Sequence, residues 1–212
     1  MTTIVVVDDQ FLIRDGVAAI LDAEEDFTVL GTAADGAEAI GLIATLAPDI
    51  ALMDIRMPEV DGIEATRQVI ESGSATKILI LTTFGADDYV LAALRAGASG
   101  YLLKDAPRES LVAAIRAVAA GDVAVEKQVL AQLVRGQPAQ RHPEAVAAVG
   151  RLSPRESQVL GLVAQGATNP EIATSLFIGE TTVKTHVSRI QAKLDARDRV
   201  HLVVIAHRAG LA

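Results

Sequence analysis

The 212-residue chain contains no cysteine. Disulfides, thiolate zinc sites and cysteine nucleophiles are therefore excluded, as suits a reducing compartment. No apolar run approaches the ~18 residues of a membrane span. The segment Met1 to Thr3 enters a strand-like stretch without the basic region of a signal peptide. A soluble, cytoplasmic protein with no membrane partner is the expectation. Internal repeats and low-complexity tracts are lacking as well.

Positive charge is scarce overall, with a net charge of −8, but it is unevenly placed. Residues 1–121 carry 8 Lys and Arg against 19 Asp and Glu, whereas residues 151–212 carry 8 against 5. Such a change of sign suggests two modules, the second a candidate for contact with a polyanion.

Five short aliphatic runs, TIVVVD (3–8), FTVLGTA (27–33), DIALMD (49–54), KILILT (77–82) and SGYLLK (99–104), have strand length and composition. Helical patterns lie near 11–23, 36–47, 61–72, 87–96 and 107–120. Near-continuous apolar strands alternating with helices predict a parallel sheet covered on both faces, a flavodoxin-like (βα)5 sandwich. This module is assigned residues 1–121. A linker with a short helix near 127–135 is expected over 122–148, on the strength of the breakers in GQPAQRHP (136–143). Residues 149–212 read as an all-α domain with helices near 153–165, 169–176, 180–194 and 198–209. SPRE (153–156) is a capping box, and Asn169 of NPE (169–171) reads as a second N-cap.

In an open parallel sheet ligands sit beyond the carboxyl ends of the strands. There the first run stops at Asp8 and Asp9, the third at Asp54, the fourth at Thr82 and the fifth at Lys104. Clustered carboxylates repel unless a cation joins them, and Mg²⁺ takes oxygen ligands while retaining water. Asp9, Asp54 and the backbone carbonyl of Arg56 could ligate it, with Asp8 holding a metal-bound water. Asp54 suits the nucleophile that forms an acyl phosphate. Lys104 and the Thr82 hydroxyl suit contacts to phosphoryl oxygens.

The segments VVVDD (5–9), LMDIRMPEVDG (52–62), LTT (81–83) and GYLLK (100–104) resemble, in order and spacing, those of a response regulator receiver domain. The resemblance implies phosphorylation of Asp54 by a sensor histidine kinase, Mg²⁺ organised by Asp8 and Asp9, and engagement of the phosphoryl group by Thr82 and Lys104. It also implies that Tyr101 turns inward as Thr82 moves. Asp105 stands where many receivers have proline after the lysine.

ETTVKTHVSRIQAKL (180–194) divides on a helical wheel into an apolar stripe, Val183, Val187, Ile190 and Leu194, and an opposite face of Thr181, Thr185, Ser188 and Ala192 flanked by Lys184 and Arg189. Such a face can enter the major groove of double-stranded DNA. Residues 152–194 resemble the helix-turn-helix domain of the NarL/LuxR/FixJ class of regulators. By that likeness Lys184, Thr185 and Ser188 contact DNA, joined by Arg189 and Thr182, while Leu152, Glu156, Val159 and Leu160 form the framework. Val200, Val203, Val204 and His207 are the implied dimer surface, and a homodimer would read an inverted repeat. Gly179 stands where a serine often caps the recognition helix. His186, His201 and His207 lack the spacing of metal ligands.

The function implied is a phosphorylation-gated transcription regulator. A receiver that signals without phosphate is the alternative. A Mg²⁺-dependent aspartyl-phosphate phosphatase would need a second acid near Asp54, and Ile55-Arg56 supplies none. A regulator sensing a small ligand would have no use for the acid, threonine and lysine set.

Overall fold

The computed structural model describes residues 1–83, 88–122, 124–125 and 142–211. They fall into two compact units, Met1–Val125 and Glu126–Ala212.

In the first unit, β1 (Thr2–Val7), β2 (Phe27–Ala33), β3 (Ile50–Asp54), β4 (Lys77–Thr82) and β5 (Gly100–Leu103) alternate with α1 (Phe11–Asp22), α2 (Gly36–Leu46), α3 (Gly62–Glu71), α4 (Asp88–Ala96) and α5 (Arg108–Ala119). All strand pairings are parallel, in the order β2-β1-β3-β4-β5. Each bound lies within one residue of the expected one, because the aliphatic runs have no face to give to water. β3 is buried along its whole length.

Alternation along the strands sends Ile4, Val6, Leu52, Leu79 and Leu81 into one core with Leu111, Val112, Ile115 and Val118 of α5. Val5, Val7, Met53 and Ile80, equally buried, point to the other face. On that side α2 and α3 begin at carboxylate caps. Asp35 accepts from the Glu38 amide and Asp61 from the Glu64 amide, both at 2.8 Å. These caps fix where the two βα loops, 34–35 and 55–61, give way to helix at the carboxyl edge.

The second unit is helical: α6 (Pro143–Val149), α7 (Pro154–Ala164), α8 (Asn169–Leu176), α9 (Glu180–Leu194) and α10 (Arg199–Arg208). The last four match expectation. α6 is a difference, since Pro143 occupies its first turn, where a missing N–H costs nothing, so the proline that reads as a breaker starts a helix. The helix expected near 127–135 lies outside the described residues.

The Ser153 capping box forms as read. The second cap is corrected: Thr168, not Asn169, accepts from the Glu171 amide, and Glu171 bonds back to the Thr168 amide at 2.6 Å. Asn169 is inside the helix and buried, accepting from Arg199 Nη1 at 2.8 Å. Arg199 Nη2 also donates to the Ala167 carbonyl at 2.5 Å, which satisfies its buried guanidinium and fixes α10 to the start of α8. Lys193 Nζ reaches Glu156 Oε2 at 2.7 Å and ties the end of α9 to α7.

Candidate functional site

Strand order reverses direction at β1, which has β2 on one side and β3 on the other, so the carboxyl ends of β1 and β3 open a crevice at a topological switch point. Val7 pairs with Met53, and the next residues on each strand, Asp8 and Asp54, emerge side by side. Carboxylate oxygens of Asp8, Asp9 and Asp54 lie within 4.8 Å of one another. Asp8 and Asp54 are buried and Asp9 is exposed.

Lys104, just beyond β5, brings its ammonium 2.7 Å from Asp8 Oδ2 and 2.8 Å from Asp54 Oδ2. Its own backbone amide is held by the Thr82 carbonyl at 2.8 Å. The remaining Asp54 oxygen, Oδ1, accepts from the Ile55 amide at 2.8 Å, and Asp8 Oδ1 accepts from the Gln10 amide at 3.0 Å. Asp9, Asp54, Thr82 and Lys104 line a cleft of about 260 Å³, with Gln10, Arg56, Thr83 and Tyr89 at its rim.

Burial raises the Asp54 pKa against the pull of Lys104, and the neighbouring Asp8 charge adds to the rise. Burial works against the Lys104 ammonium, yet its bonds to Asp54 and Asp8 outweigh that and raise its pKa. One ammonium cannot neutralise three carboxylates. The hard oxygen donors and residual negative charge suit a divalent cation, and the exposed Asp9 leaves room for its waters. The five expected residues are thus brought together.

Tyr101 is half-buried on β5, and its amide donates to the Ala124 carbonyl at 3.0 Å. Three neighbours of the site have no signal in residue type: Gly62, which packs beneath Asp54; Tyr89, at the rim; and Arg14, whose Nη1 donates to the Asp8 carbonyl at 2.6 Å.

In the helical unit, Val183, Val187, Ile190 and Leu194 of α9 are buried, while Thr181, Thr182, Lys184, Thr185, Ser188 and Arg189 are all exposed. The Thr185 hydroxyl donates to the Thr181 carbonyl at 2.9 Å. Gly179 is the N-cap and offers no side-chain bond, so the first amides of α9 remain available to an anion. Val200 and Val203 are each 1% exposed. Val203 belongs to the core of the helical unit, so of the four residues expected at a dimer surface only Val204 and His207 keep appreciable exposed area.

A family model described as the response regulator receiver domain matches residues 4–116, and one described as bacterial regulatory proteins, luxR family, matches residues 150–206. The chain belongs to the response regulators. YxjL of Bacillus subtilis (strain 168), named a transcriptional regulatory protein, is 43% identical over 208 residues, covering 96% of this chain and 94% of YxjL. The transcriptional regulatory protein LiaR of the same strain is 40% identical over 216 residues, covering 100% of this chain and 99% of LiaR. The crystal structure of response regulator ChrA, from a heme-sensing two-component system, aligns over 100% of this chain and 98% of its own, with 36% identity and a TM-score of 0.53.

This response regulator therefore joins a receiver domain, in a five-stranded parallel sandwich, to a helical LuxR-type DNA-binding domain. Among the described residues no helix is long and apolar enough to cross a membrane.

Proposed function

We propose that this cytoplasmic response regulator accepts a phosphoryl group on Asp54 from a sensor histidine kinase and thereby controls its binding to DNA. The observation that carries the reading is the position of Asp54. It is a carboxylate only 5% exposed, at the switch point of the sheet, beside an ammonium and two further carboxylates.

Asp8, Asp9, Asp54 and the Arg56 carbonyl would hold Mg²⁺. When bound, the ion neutralises charge developing on the transferred group. An Asp54 oxygen attacks phosphorus as the bond to the kinase histidine breaks, and the imidazole nitrogen leaves with the electron pair and takes up a proton. Lys104, already poised between two carboxylates, exchanges one of them for a phosphoryl oxygen. The Thr82 hydroxyl donates to another, and Tyr101 follows into the space it leaves. The domain promotes its own phosphorylation and is not an enzyme on outside substrates.

The exposed face of α9 enters the major groove, with Lys184, Thr185 and Ser188 at bases or phosphates and Thr181, Thr182 and Arg189 around them. Two copies, meeting through a surface that includes Val204 and His207, would read an inverted repeat.

The test is intact-mass measurement after incubation with acetyl phosphate and Mg²⁺, followed by DNA binding of the same samples. Wild type should gain one phosphoryl group and bind DNA more tightly, and Asp54→Asn should do neither. Equal DNA occupancy by the two proteins after phosphodonor treatment would leave a regulator that works without phosphate.

A further inference from the structure

We propose that Tyr89 shields the phosphoacceptor, its ring standing across the mouth of the cleft and limiting how fast water and small phosphodonors reach Asp54. The inference rests on the reading of Asp54 as the phosphorylated residue and concerns how long that phosphate lasts.

The floor of the cleft is closed by protein. Asp54 is 5% exposed and Thr82 4%, and the Lys104 side chain is 6% exposed. Among the described residues, those lining the cleft that are exposed are Asp9, Gln10, Arg56, Thr83 and Tyr89, and a molecule that reacts at Asp54 comes in past them. Of these Tyr89 is the one rigid ring, with only two side-chain torsions, and it stands on the first turn of a helix.

The helix is anchored so that the ring cannot swing away as a unit. Val90 and Ala93 are fully buried and Leu94 is 2% exposed, and burial of such apolar side chains fixes the rotation of α4 about its axis. Tyr89 is nevertheless 55% exposed. An aromatic side chain that lines a reactive cleft while keeping half its surface in water covers the opening and does not fill a core.

An aspartyl phosphate is lost when a water oxygen attacks phosphorus in line with the Asp54 oxygen. A new P–O bond forms, the bond to Asp54 breaks, the carboxylate recovers its electron pair, and the water proton leaves with inorganic phosphate or solvent. Since the carboxylate lies at the floor, the in-line direction points out through the mouth. A ring at the mouth lowers the occupancy of that water, as closing groups do in other sites. Acetyl phosphate delivers its phosphorus along the same line, so one obstruction should slow both reactions.

The experiment uses the full chain with Mg²⁺ in three forms: wild type, Tyr89→Phe and Tyr89→Ala. Each is phosphorylated with acetyl phosphate, the donor is removed, and the phosphorylated fraction is followed by intact mass. Tyr89→Ala should both gain and lose the group at least about fivefold faster, a barrier change near 1 kcal/mol. Tyr89→Phe, which keeps the ring, should match wild type. Equal thermal midpoints establish that the fold is unchanged.

A Tyr89→Ala protein with wild-type rates in both directions overturns the proposal, and so does a Tyr89→Phe protein as fast as Tyr89→Ala, which would put the effect in the hydroxyl. A slower gain with a faster loss would mark general damage to the site and equally overturn it. If wild type forms no adduct, or Asp54→Asn forms the same one, the reading of Asp54 itself fails, and the shield fails with it. A wild type that forms the adduct only through Asp54 leaves the rates as a judgement on Tyr89 alone.

Discussion

Gly62 packs directly beneath Asp54. Its amide donates to the Ile55 carbonyl at 2.9 Å, and a β-carbon at position 62 would fall well inside van der Waals contact of the Asp54 backbone carbonyl. No flexible side-chain end can give way there. Gly62→Ala should therefore push α3 away from the end of β3, at a cost of about 1–3 kcal/mol as for other overpacked sites, and should slow phosphorylation by displacing Asp54. Denaturant unfolding and the rate of adduct formation with acetyl phosphate check the two effects. Unchanged stability would mean that the loop relaxes freely.

Lys104 bridges two buried carboxylates. Lys104→Met should cost about 3–5 kcal/mol, the usual consequence of leaving a buried charge without its partner. The loss should be largest near neutral pH. It should shrink under acid conditions, where Asp54, whose pKa burial already raises, takes up a proton. Mg²⁺ held by the same carboxylates, as proposed, would stabilise the folded state and should raise the midpoint of the variant more than that of wild type. Thermal unfolding with and without Mg²⁺ at pH 5 and 7 decides this.

Much of both features can be read from residue types. Aliphatic runs give the strands, and the polar residues that end all of the runs but the second fall at the carboxyl edge, so Asp8, Asp9, Asp54, Thr82 and Lys104 are legible before any fold is known. What stays hidden are neighbours without a chemical signal of their own. Gly62 looks like an ordinary glycine at a helix start until the Asp54 carbonyl is placed against it, and Tyr89 looks like a surface residue of an amphipathic helix. In the second domain the periodicity of α10 marks Val200 and Val203 as apolar without saying which side they pack on. The TNPE segment (168–171) offers two adjacent residues able to cap, and the choice falls to Thr168 because Arg199, thirty positions away, claims the Asn169 side chain.

The Glu156–Lys193 pair ties α9 to α7, and Lys193 together with the Ser153 amide holds the Glu156 carboxyl down to about 2. A carboxylate with a depressed pKa in the folded state stabilises that state above its unfolded value and loses the contribution as pH falls toward the folded one. The stability difference between wild type and Glu156→Gln should therefore be complete above about pH 4.5, decline below it and vanish near 2. Denaturation of both proteins across that range tests it. A gap independent of pH would assign the effect to capping geometry.

Lys184 is exposed on the face of α9 opposite the buried stripe, and its ammonium would have a phosphate or a guanine within reach if, as proposed, the helix occupies a major groove. Lys184→Ala should weaken DNA binding for either reason, by about 1–3 kcal/mol if it reads a base. The salt dependence separates them. If the ammonium meets a phosphate, its removal weakens binding equally on all sequences and reduces the slope of log K against log salt by about 1. If it meets a base, its removal relaxes specificity at one position. Titrations on matched and scrambled sites at several salt concentrations give the answer. An unaltered affinity at every salt concentration would remove α9 from the groove.

At the far edge of the sheet, after α5, the chain returns so that Ala124 pairs in parallel with Gly100 and accepts the Tyr101 amide at 3.0 Å, while packing against the core shared by the sheet and α5. The start of the connector thus covers β5 at the residue proposed to move on phosphorylation. Glycine suits this approach, since a β-carbon at position 100 would lie 3.0 Å from both the β-carbon and the carbonyl oxygen of Ala124, a tight contact that Ala124 could accept only by giving way slightly. Gly100→Ala should push Ala124 off the edge and leave the Tyr101 amide open to solvent. Its hydrogen exchange should then accelerate while amides in β1 and β3, held by neighbours on both sides, keep their protection. If the pairing instead relaxes around the added methyl group, Tyr101 exchange will stay slow and only global stability will fall. The two outcomes separate a specific bond between connector and strand from ordinary crowding, and amide exchange of wild type and Gly100→Ala under one set of conditions distinguishes them.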